Sequence, residues 1–374
     1  MKFSVLQENL NTALQNVSRF VSPKTQLPIL SNILFQSDQG RLKLSATNLE
    51  LGINYWLGAK LEDEGSFTIP SKEITEFVSY LSAGKIDVDL NDKSLLTVNS
   101  AKASSTFTTS PATDFPTSPS LDLSKAFDLD LSLLTKTVNQ IVFASASDDT
   151  RPILTSVYWH FTPDQFTIAA TDGFRLSVKT SKLVNPLNIQ TDPDGFTFLV
   201  PARTLAEVVK LAKTSKTVKL GPSPDEHQLV FVLEDLELVS RLVQGDFPPF
   251  QKIIPKETAT KVYLDRAELT QAIKIVSVFA RESANVVKFS LKTNSIELSA
   301  NAPQLGQNKV DVDARIEGAP LDIAFNFKFV SDFLNICTGD EVLIELNEPL
   351  SSAIFRDQAD PEFTHIIMPV RIQD

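Results

Sequence analysis

A threefold internal repeat is the sequence feature that most constrains how this chain can fold. A segment typical of a strand followed by an amphipathic helix begins at Phe67 and reads FTIPSKEITEFVSYL. Segments of the same pattern begin at Phe198 and Ile323, so the intervals are 131 and 125 residues. Because chance matches do not keep a common spacing, this periodicity indicates repeated structural units.

Two further markers repeat in the same order. A strand that ends in a turn of small residues places Ala46, Ala170 and Ala300 in register. Each repeat also opens with a short alternating strand, after which apolar residues recur at helical spacing. Units of this length are ordinary domains. We therefore predict three similar domains, at residues 1–120, 121–250 and 251–374.

Within each repeat, the pattern is a strand, a helix and several strands, and then the same series again. Alternating apolar and polar residues in RLKLSAT, QFTIAAT and EVLIELNE are typical of antiparallel strands with one buried face. The sequence predicts the α+β class, with two β-α-β-β-β motifs per domain, antiparallel sheets on one side and helices on the other. Sheets that continue across domain borders would cover otherwise unpaired edges.

Composition excludes several functional classes. The chain is 42% hydrophobic and 22% charged, which is typical of a folded protein, and no apolar run approaches the roughly 18 residues of a membrane span. Cys337 is the only cysteine, so an internal disulfide is impossible, and the three histidines are scattered. The motifs GxGxxG, GxxxxGK[ST] and GxSxG are absent. We expect no metal, no cofactor, no membrane association and a cytoplasmic location.

The distribution of charge leaves two interpretations open. The formal net charge of −11 disfavours tight binding of a polyanion by the whole surface. Basic residues nevertheless lie on helices, with Arg203, Lys210 and Lys213 opposite the apolar face of one helix and Lys274 late in another. They form either a solvated face that suits the helix dipole or a weakly basic surface that faces a polyanion.

Several segments together resemble one known family. LPILSNILF from Leu27, ATDGFRL at Ala170–Leu176, GDFPPF from Gly245 and the terminal MPVRI from Met368 are similar to the bacterial DNA sliding clamps, the β subunits of DNA polymerase III. The resemblance covers the whole chain. It implies a head-to-tail homodimer in which six similar domains form a ring, with helices lining the hole and sheets outside.

The resemblance also implies a function without catalysis. The ring would encircle double-stranded DNA without sequence specificity and tether the replicative DNA polymerase, the clamp loader and other clamp-motif proteins. Processivity would follow from the raised effective concentration of the polymerase. The expected location is the cytoplasm, in association with the nucleoid.

Three sites follow from the resemblance. The first is a pocket for partner peptides, formed by Leu154, Thr171, Gly173, Phe174, Arg175, Leu176, Pro248, Ile253, Ser352, Ile366, Met368, Pro369, Val370 and Arg371. The second is a dimer seam with Phe107, Val278 and Phe279 at its apolar core. The third is a DNA-contacting set. It comprises Lys24 and Arg151 from the resemblance and Lys72, Arg203, Lys210, Lys213 and Lys274 from the charge pattern.

Other interpretations compete with these. The segment TDGFRL is equally compatible with a plain strand-turn-strand, and the three seam residues with an ordinary core. A repeat scaffold that binds proteins but not DNA would fit the acidic charge. An enzyme would need a centre such as Asp172 with Arg175, or Asp148 with Asp149, and neither pair comes with a histidine or a set of metal ligands.

Overall fold

The computed structural model describes residues 1–22, 27–91, 93–148, 150–183, 185–187, 195–212 and 215–371. Contacts divide the chain into two compact units. Unit 1 comprises Met1–Ser132 and Glu207–Leu242, and unit 2 comprises Leu133–Ala206 and Val243–Asp374. The second repeat therefore contributes strands to both units. In the described part of the chain, no helix is long and apolar enough to cross a membrane.

Unit 1 holds two antiparallel sheets. Their strands are β1 (Lys2–Leu6), β2 (Asn32–Asp38), β3 (Arg41–Thr47), β4 (Leu51–Leu57), β5 (Lys60–Asp63), β6 (Ser66–Pro70), β7 (Lys85–Leu90), β8 (Leu95–Asn99), β9 (Ser104–Thr108), β10 (Phe127–Asp130), β15 (Thr217–Pro222), β16 (Gln228–Leu233) and β17 (Leu236–Arg241). The strand orders are β5-β1-β7-β8-β9 and β10-β15-β16-β17-β4-β3-β2-β6. The pairing of β17 with β4 joins strands of the first and second repeats in one sheet.

Unit 2 holds one sheet of twelve strands. They are β11 (Ser156–Phe161), β12 (Gln165–Thr171), β13 (Arg175–Lys182), β14 (Phe196–Pro201), β18 (Thr260–Asp265), β19 (Val286–Leu291), β20 (Ser295–Ala302), β21 (Gly306–Glu317), β22 (Asp322–Asn326), β23 (Glu341–Leu346), β24 (Ala353–Asp357) and β25 (Phe363–Ile367). Their order is β14-β11-β12-β13-β25-β24-β23-β18-β21-β20-β19-β22. The β13–β25 pair joins the second and third repeats, so both borders are crossed by a continuous sheet, as predicted.

Six α-helices occur in the described residues, two in each repeat, and each follows a short strand directly. They are α1 (Gln7–Val17), α2 (Ser71–Tyr80), α3 (Leu131–Ile141), α4 (Ala202–Leu211), α5 (Arg266–Ala280) and α6 (Phe327–Ile336). Helices α5 and α6 begin with side-chain caps: Asp265 accepts from the Glu268 amide and Asn326 from the Lys328 amide. This alternation confirms the predicted α+β class.

The apolar stripes of the helices are buried where their spacing predicts. On α1, Leu10, Ala13, Leu14 and Val17 are buried, and α1 packs on β3 and β4. Helix α5 buries Leu269, Ile273 and Val276 in the same way, against β20 and β21. Period-3.6 apolar stripes pack against the sheets because that arrangement removes apolar surface from water.

Candidate functional site

The turn between β12 and β13 is held by a compact set of hydrogen bonds. Thr171 Oγ1 donates to the Arg175 carbonyl at 2.6 Å and accepts from the Gly173 amide at 3.0 Å. Asp172 Oδ1 accepts from the amides of Phe174 and Arg175 at 2.9 and 3.0 Å. Gly173 has φ +93°, a conformation that side chains with a Cβ disfavour. The turn presents Phe174, whose side chain is 61% exposed.

Strand β25 brings the C-terminal segment beside this turn. Arg175 pairs with Ile367 in the sheet, and the Met368 amide donates to the Phe174 carbonyl at 2.9 Å. Met368 is 42% exposed. The segment is anchored again where the Val370 amide donates to the Ala324 carbonyl at 2.8 Å. Two exposed apolar side chains, from positions far apart in sequence, therefore flank one backbone hydrogen bond.

An apolar cluster lies in the sheet behind these two residues. Its buried members are Ala169, Leu176, Val178, Phe250, Ile354 and Ile366, and Tyr158, Phe247 and Ile254 pack against it. The segment after β17 thus folds onto the sheet through its aromatic residues, with the rings of Phe247 and Phe250 centred 5.5 and 5.4 Å from that of Tyr158. Ile253 stays 49% exposed beside this buried anchor.

The structure brings most of the predicted pocket residues to this region of unit 2. Thr171, Gly173, Phe174 and Arg175 form the turn; Leu176 and Ile366 lie in the apolar cluster; Met368, Pro369, Val370 and Arg371 follow β25. Ser352 directly precedes Ala353, which pairs with Ile367. Leu154 is the third residue of a 3-10 turn at Pro152–Thr155, which precedes β11, and Pro248 and Ile253 flank Phe250.

One exposed apolar residue near the predicted set was not singled out from the sequence. Leu350 is 59% exposed and lies in the loop between β23 and β24, two residues before Ser352. The available signal was an apolar residue close to a predicted pocket residue in a short loop.

Arg175 is a structural link rather than a free cation. Its guanidinium donates to Asp172 Oδ2 at 3.0 Å, to Asp332 Oδ2 at 2.5 Å and to the Phe143 carbonyl at 2.7 Å. Its Cζ lies 5.4 and 4.6 Å from the ring centroids of Phe143 and Phe329. Asp172 and Arg175, the best enzymatic candidates in the sequence, therefore form part of the turn and its link to α6.

A buried ionic network lies further along β13. Asp360 Oδ2 accepts from Lys179 at 2.6 Å, Lys136 at 2.8 Å and Gln140 at 3.0 Å. Lys179 also donates to Gln140 Oε1 at 2.8 Å and is 2% exposed. Burial would raise the pKa of Asp360, but hydrogen bonds from Lys136, Lys179 and Gln140 outweigh it and hold the pKa at about 2. Burial lowers the pKa of Lys179 despite its Asp360 partner.

His365 is buried on β25 and pairs with Ser177, which lies between Arg175 and Lys179 on β13. Its Nδ1 lies 2.7 Å from Ser177 Oγ, and its ring stacks on Phe333 at 5.6 Å and contacts Phe143 at 5.3 Å. Burial, with a smaller contribution from the Arg175 charge, lowers the pKa of His365 to about 3. The imidazole is therefore neutral at physiological pH. The described residues contain no cluster of three or more His, Cys, Asp or Glu side chains suited to a metal ion.

The predicted DNA-contacting residues differ in how they are held. Lys72 on α2, Arg203 and Lys210 on α4, and Lys274 on α5 are exposed, and none has an ion-pair partner among the residues that the structure describes. Arg151 is exposed too, and its Nη1 would lie 3.3 Å from a Cβ at Gly173. Lys24 and Lys213 lie outside the described residues. In contrast, Arg19 pairs with Glu207 and Lys136 with Asp360.

The predicted seam residues lie on an edge strand of unit 1 and on a helix of unit 2. Phe107 is half-buried on β9, the last strand of the five-stranded sheet, and its ring meets Phe77 edge-on at 5.2 Å. On α5 of unit 2, Val278 is 55% exposed and Phe279 half-buried, with Ile275 39% exposed on the same helical face. These side chains offer apolar surface on both units.

Comparison with known proteins identifies the family. Models of the DNA polymerase III beta subunit match the chain in order: the N-terminal domain at residues 1–119, the central domain at 128–249 and the C-terminal domain at 251–371. The chain belongs to the DNA polymerase III beta subunit family. This membership confirms the predicted function, a DNA sliding clamp, and makes the protein a non-catalytic processivity subunit rather than an enzyme.

Individual relatives match over their full length. The beta sliding clamp of Synechococcus elongatus is 31% identical over 380 residues, and that of Synechocystis sp. is 30% identical over 393 residues; each comparison covers 100% of both chains. The crystal structure of the Bacillus subtilis DNA polymerase sliding clamp is 27% identical, with a TM-score of 0.93 and 100% coverage of both chains. This structural similarity shows that the chain has the clamp fold.

Proposed function

We propose that this clamp is a head-to-tail homodimer that closes around duplex DNA and tethers the replicative polymerase, with the clamp loader and other clamp-motif proteins as further partners. The observation that carries the proposal is the ordered match of all three repeats to one clamp subunit. Two chains supply six similar domains, whose borders we place at residues 1–120, 121–250 and 251–374. Because the ring would encircle chromosomal DNA, we place it in the cytoplasm, at the nucleoid.

A closed ring needs little affinity for DNA. Topology holds it on the duplex, so a few weak and sequence-neutral phosphate contacts suffice and sliding stays possible. Retention on DNA circles tests this. We expect the loaded clamp to stay on nicked circular DNA through gel filtration and to be released when the circle is linearised. A protein that binds partner proteins but is never trapped on circles would contradict the ring.

Two unpaired strand edges support the dimer seam. Strand β9 pairs only with β8 among the described strands. The segment Gly306–Asp313 of β21 pairs with β20 on one side, whereas β18 pairs only with the later residues of β21. We propose that β9 of one copy pairs with this open edge of a second copy, and that Phe107 of the first contacts Val278 and Phe279 of the second. The pairing would satisfy both edges.

Sedimentation velocity tests the seam. Phe107→Asp combined with Phe279→Asp puts a carboxylate on each side of an apolar contact, so we expect a monomer of 41.3 kDa instead of a dimer of twice that mass. The matched control replaces two exposed apolar residues outside the proposed seam, Phe174→Asp with Leu123→Asp. A persistent dimer in the seam variant would refute this seam.

The unpaired helical cations are our candidates for the DNA-facing surface. Lys72, Arg203, Lys210 and Lys274 are exposed and lack ion-pair partners in the described parts of the chain, so their charge is available to phosphates. Lys24, Arg151 and Lys213 complete the proposed set. The acidic net charge of −11 then limits non-specific binding by the remaining surface.

Charge reversal tests this surface. For Arg203→Glu with Lys210→Glu, binding to a short linear duplex should weaken, and the salt slope of log K should fall by about 2 for each subunit in contact, because each phosphate contact contributes roughly 0.9. Lys182→Glu with Lys219→Glu, on exposed strand positions, is the matched control. An equal effect in both variants would mean that net charge alone is responsible.

We propose that the region around Phe174 and Met368 binds short linear motifs of partner proteins, through the fourteen residues predicted from the family resemblance. Phe174, Met368 and Ile253 expose apolar surface next to a buried apolar cluster. The flexible thioether of Met368 suits ligands of varied sequence. Leu350 extends this apolar surface in our proposal.

A fluorescein-labelled hexapeptide that carries leucine and phenylalanine among polar residues serves as the probe. Phe174→Asp should weaken its binding at least 10-fold, as expected for a charge placed in an apolar contact. Leu123→Asp, which changes a 75% exposed leucine of unit 1, should leave it unchanged. Equal affinity in all three proteins would refute the pocket.

A further inference from the structure

Unit 1 contains a second copy of the turn that carries Phe174. The Leu49 amide donates to Thr47 Oγ1 at 3.0 Å, and Asn48 Oδ1 accepts from the amides of Glu50 and Leu51 at 3.0 and 2.8 Å. Thr47 Oγ1 donates to the Leu51 carbonyl at 3.4 Å. Each bond has its counterpart in the Thr171–Arg175 turn.

The surroundings of the two turns match as well. The Arg241 amide donates to the Glu50 carbonyl at 2.8 Å, as the Met368 amide does to the Phe174 carbonyl at 2.9 Å. Leu49 has φ +73°, in the same region as Gly173. The backbone of this turn therefore forms without help from the side chains that distinguish the two copies.

Three of the differences concern charge. Asn48 stands where the pocket turn has Asp172, the buried Leu51 stands where it has Arg175, and Glu50 stands where it has Phe174. Only the pocket copy therefore carries a carboxylate–guanidinium pair within the turn. Because the unit 1 turn closes without such a pair, the ionic contacts of Arg175 are not needed to close the turn. Their effect is to connect the pocket turn to other elements of unit 2.

That connection is a chain of three side chains. Asp332 on α6 accepts from Arg175 Nη1, and Arg175 Nε donates to Asp172 Oδ2. The other oxygen of Asp172 holds the amides of Phe174 and Arg175. The guanidinium also lies against Phe143 and Phe329. A planar guanidinium that satisfies several acceptors at once is a more rigid link than a lysine would be.

We propose that Asp332 and Asp172 are positioning residues of the peptide pocket, and that both act through Arg175 to hold the Gly173–Phe174 tip in the binding conformation. The inference rests on the proposed peptide-binding function. A tip that is already ordered in the free protein loses less conformational entropy when a peptide binds, so the tether increases affinity without contacting the peptide. Neither carboxylate needs to touch the ligand.

Asn48 indicates which substitution tests Asp172. Asp172→Asn keeps an oxygen that can accept the two amide bonds, as Asn48 does, and removes the charge that holds Arg175. Asp332→Asn removes the charge at the other end. The matched control is Asp322→Asn, which breaks the exposed ion pair with Lys288 in the same unit.

Two readouts separate the inference from the pocket itself. The first is the Kd of the labelled hexapeptide, which we expect to be 3- to 10-fold higher in Asp172→Asn and in Asp332→Asn. A tenfold rise corresponds to a loss of about 1.4 kcal/mol of binding free energy. The second needs no ligand: a nitroxide on Phe174→Cys reports tip motion, because the other cysteine, Cys337, is buried. We expect a more mobile label in both variants and no change with Asp322→Asn.

The outcomes are distinguishable. If the wild-type protein does not bind the hexapeptide, or if Phe174→Asp does not weaken it, the proposed function fails while the label still tests the tether. Unchanged affinity and label mobility in Asp332→Asn would overturn the positioning role. Asp332→Glu should restore most of the affinity, and Arg175→Lys should cause little further loss in the Asp332→Asn background. Full additivity of those two changes would also overturn it.

Discussion

Replacing Asp360 by asparagine should destabilise unit 2 strongly, because this carboxylate neutralises a buried lysine. Asp360 accepts from Lys136, Lys179 and Gln140, and Lys179 is 2% exposed. The substitution keeps the shape of the side chain and removes its charge. Lys179 would then have only uncharged acceptors, Gln140 Oε1 at 2.8 Å and the amide oxygen of the new asparagine.

The size of the effect follows from the titration of the two groups. Lowering the pKa of Asp360 from 3.8 to about 2 corresponds to roughly 2.5 kcal/mol, at about 1.36 kcal/mol per pH unit. Lys179 can escape burial of its charge by losing a proton. From its ordinary pKa of 10.5, that costs about 5 kcal/mol at pH 7 and sets an upper limit. We expect a loss of about 2.5 to 5 kcal/mol, in line with other broken buried pairs.

Native-state hydrogen exchange measures this locally. In Asp360→Asn, amides in peptides from β13 and β25 should exchange faster by the factor that the lost stability of about 2.5 to 5 kcal/mol implies, at about 1.36 kcal/mol per tenfold. Peptides from β16, in unit 1, are the internal control and should exchange at an unchanged rate. Lys179→Met should cost less than half as much, because Asp360 keeps Lys136 and Gln140 while a buried charge is removed. Equal losses in the two variants, or a loss below about 1 kcal/mol in Asp360→Asn, would refute the reasoning.

The pH dependence gives a second check of the same network. The folded-state pKa of Asp360 is depressed, so its stabilisation is present above pH 3.8 and is lost as the pH falls through about 2. The difference in stability between wild type and Asp360→Asn should therefore shrink over this interval. A difference that stays constant from pH 4 to pH 2 would contradict the assignment.

Three further predictions concern other buried or constrained groups. The pKa of His365 is lowered from 6.5 to about 3, so its contribution is complete above pH 6.5 and is lost as the pH falls towards 3; in His365→Phe, the slope of stability against pH over that interval should decrease in thermal unfolding. Burial raises the pKa of the Cys337 thiol, so DTNB should not react with it until unit 2 unfolds, and fast labelling of the native protein would contradict its burial. Gly173→Ala should destabilise the turn by about 1 kcal/mol, because φ is +93° there. The loss of hexapeptide binding free energy, from binding titrations, should exceed the loss of folding stability, from melting curves.

Much of the fold could be predicted because its signals are local. The stripe of Leu10, Leu14 and Val17 and that of Leu269, Ile273 and Val276 are buried as their spacing indicates. Side-chain direction in a helix or strand is set by the backbone of a few neighbouring residues. Repetition of those local patterns then predicted three similar domains, and the family match confirmed the clamp fold.

The candidate site was predictable only through resemblance to a family. Nothing near Arg175 in the sequence indicates that its partner is Asp332, 157 positions away. The pairing of Lys136 with Asp360 is equally hidden, although it removes one helical cation from those available to a phosphate. Such contacts depend on how distant elements pack, and each of these two joins a residue of the second repeat to one of the third, the two repeats that the β13–β25 pair connects.

By itself, then, the amino-acid sequence determined the repeat, the alternation of strands and helices, the buried stripes and the absence of the common nucleotide-loop and hydrolase motifs. The tertiary structure decided which of the charged residues are neutralised and which remain free. It also separated two turns with the same backbone, one closed by Asn48 and Leu51 and the other linked through Asp172 and Arg175 to α6. The physical reason is that hydrogen bonds and ion pairs act over a few ångströms in space, whereas sequence patterns report only neighbours along the chain.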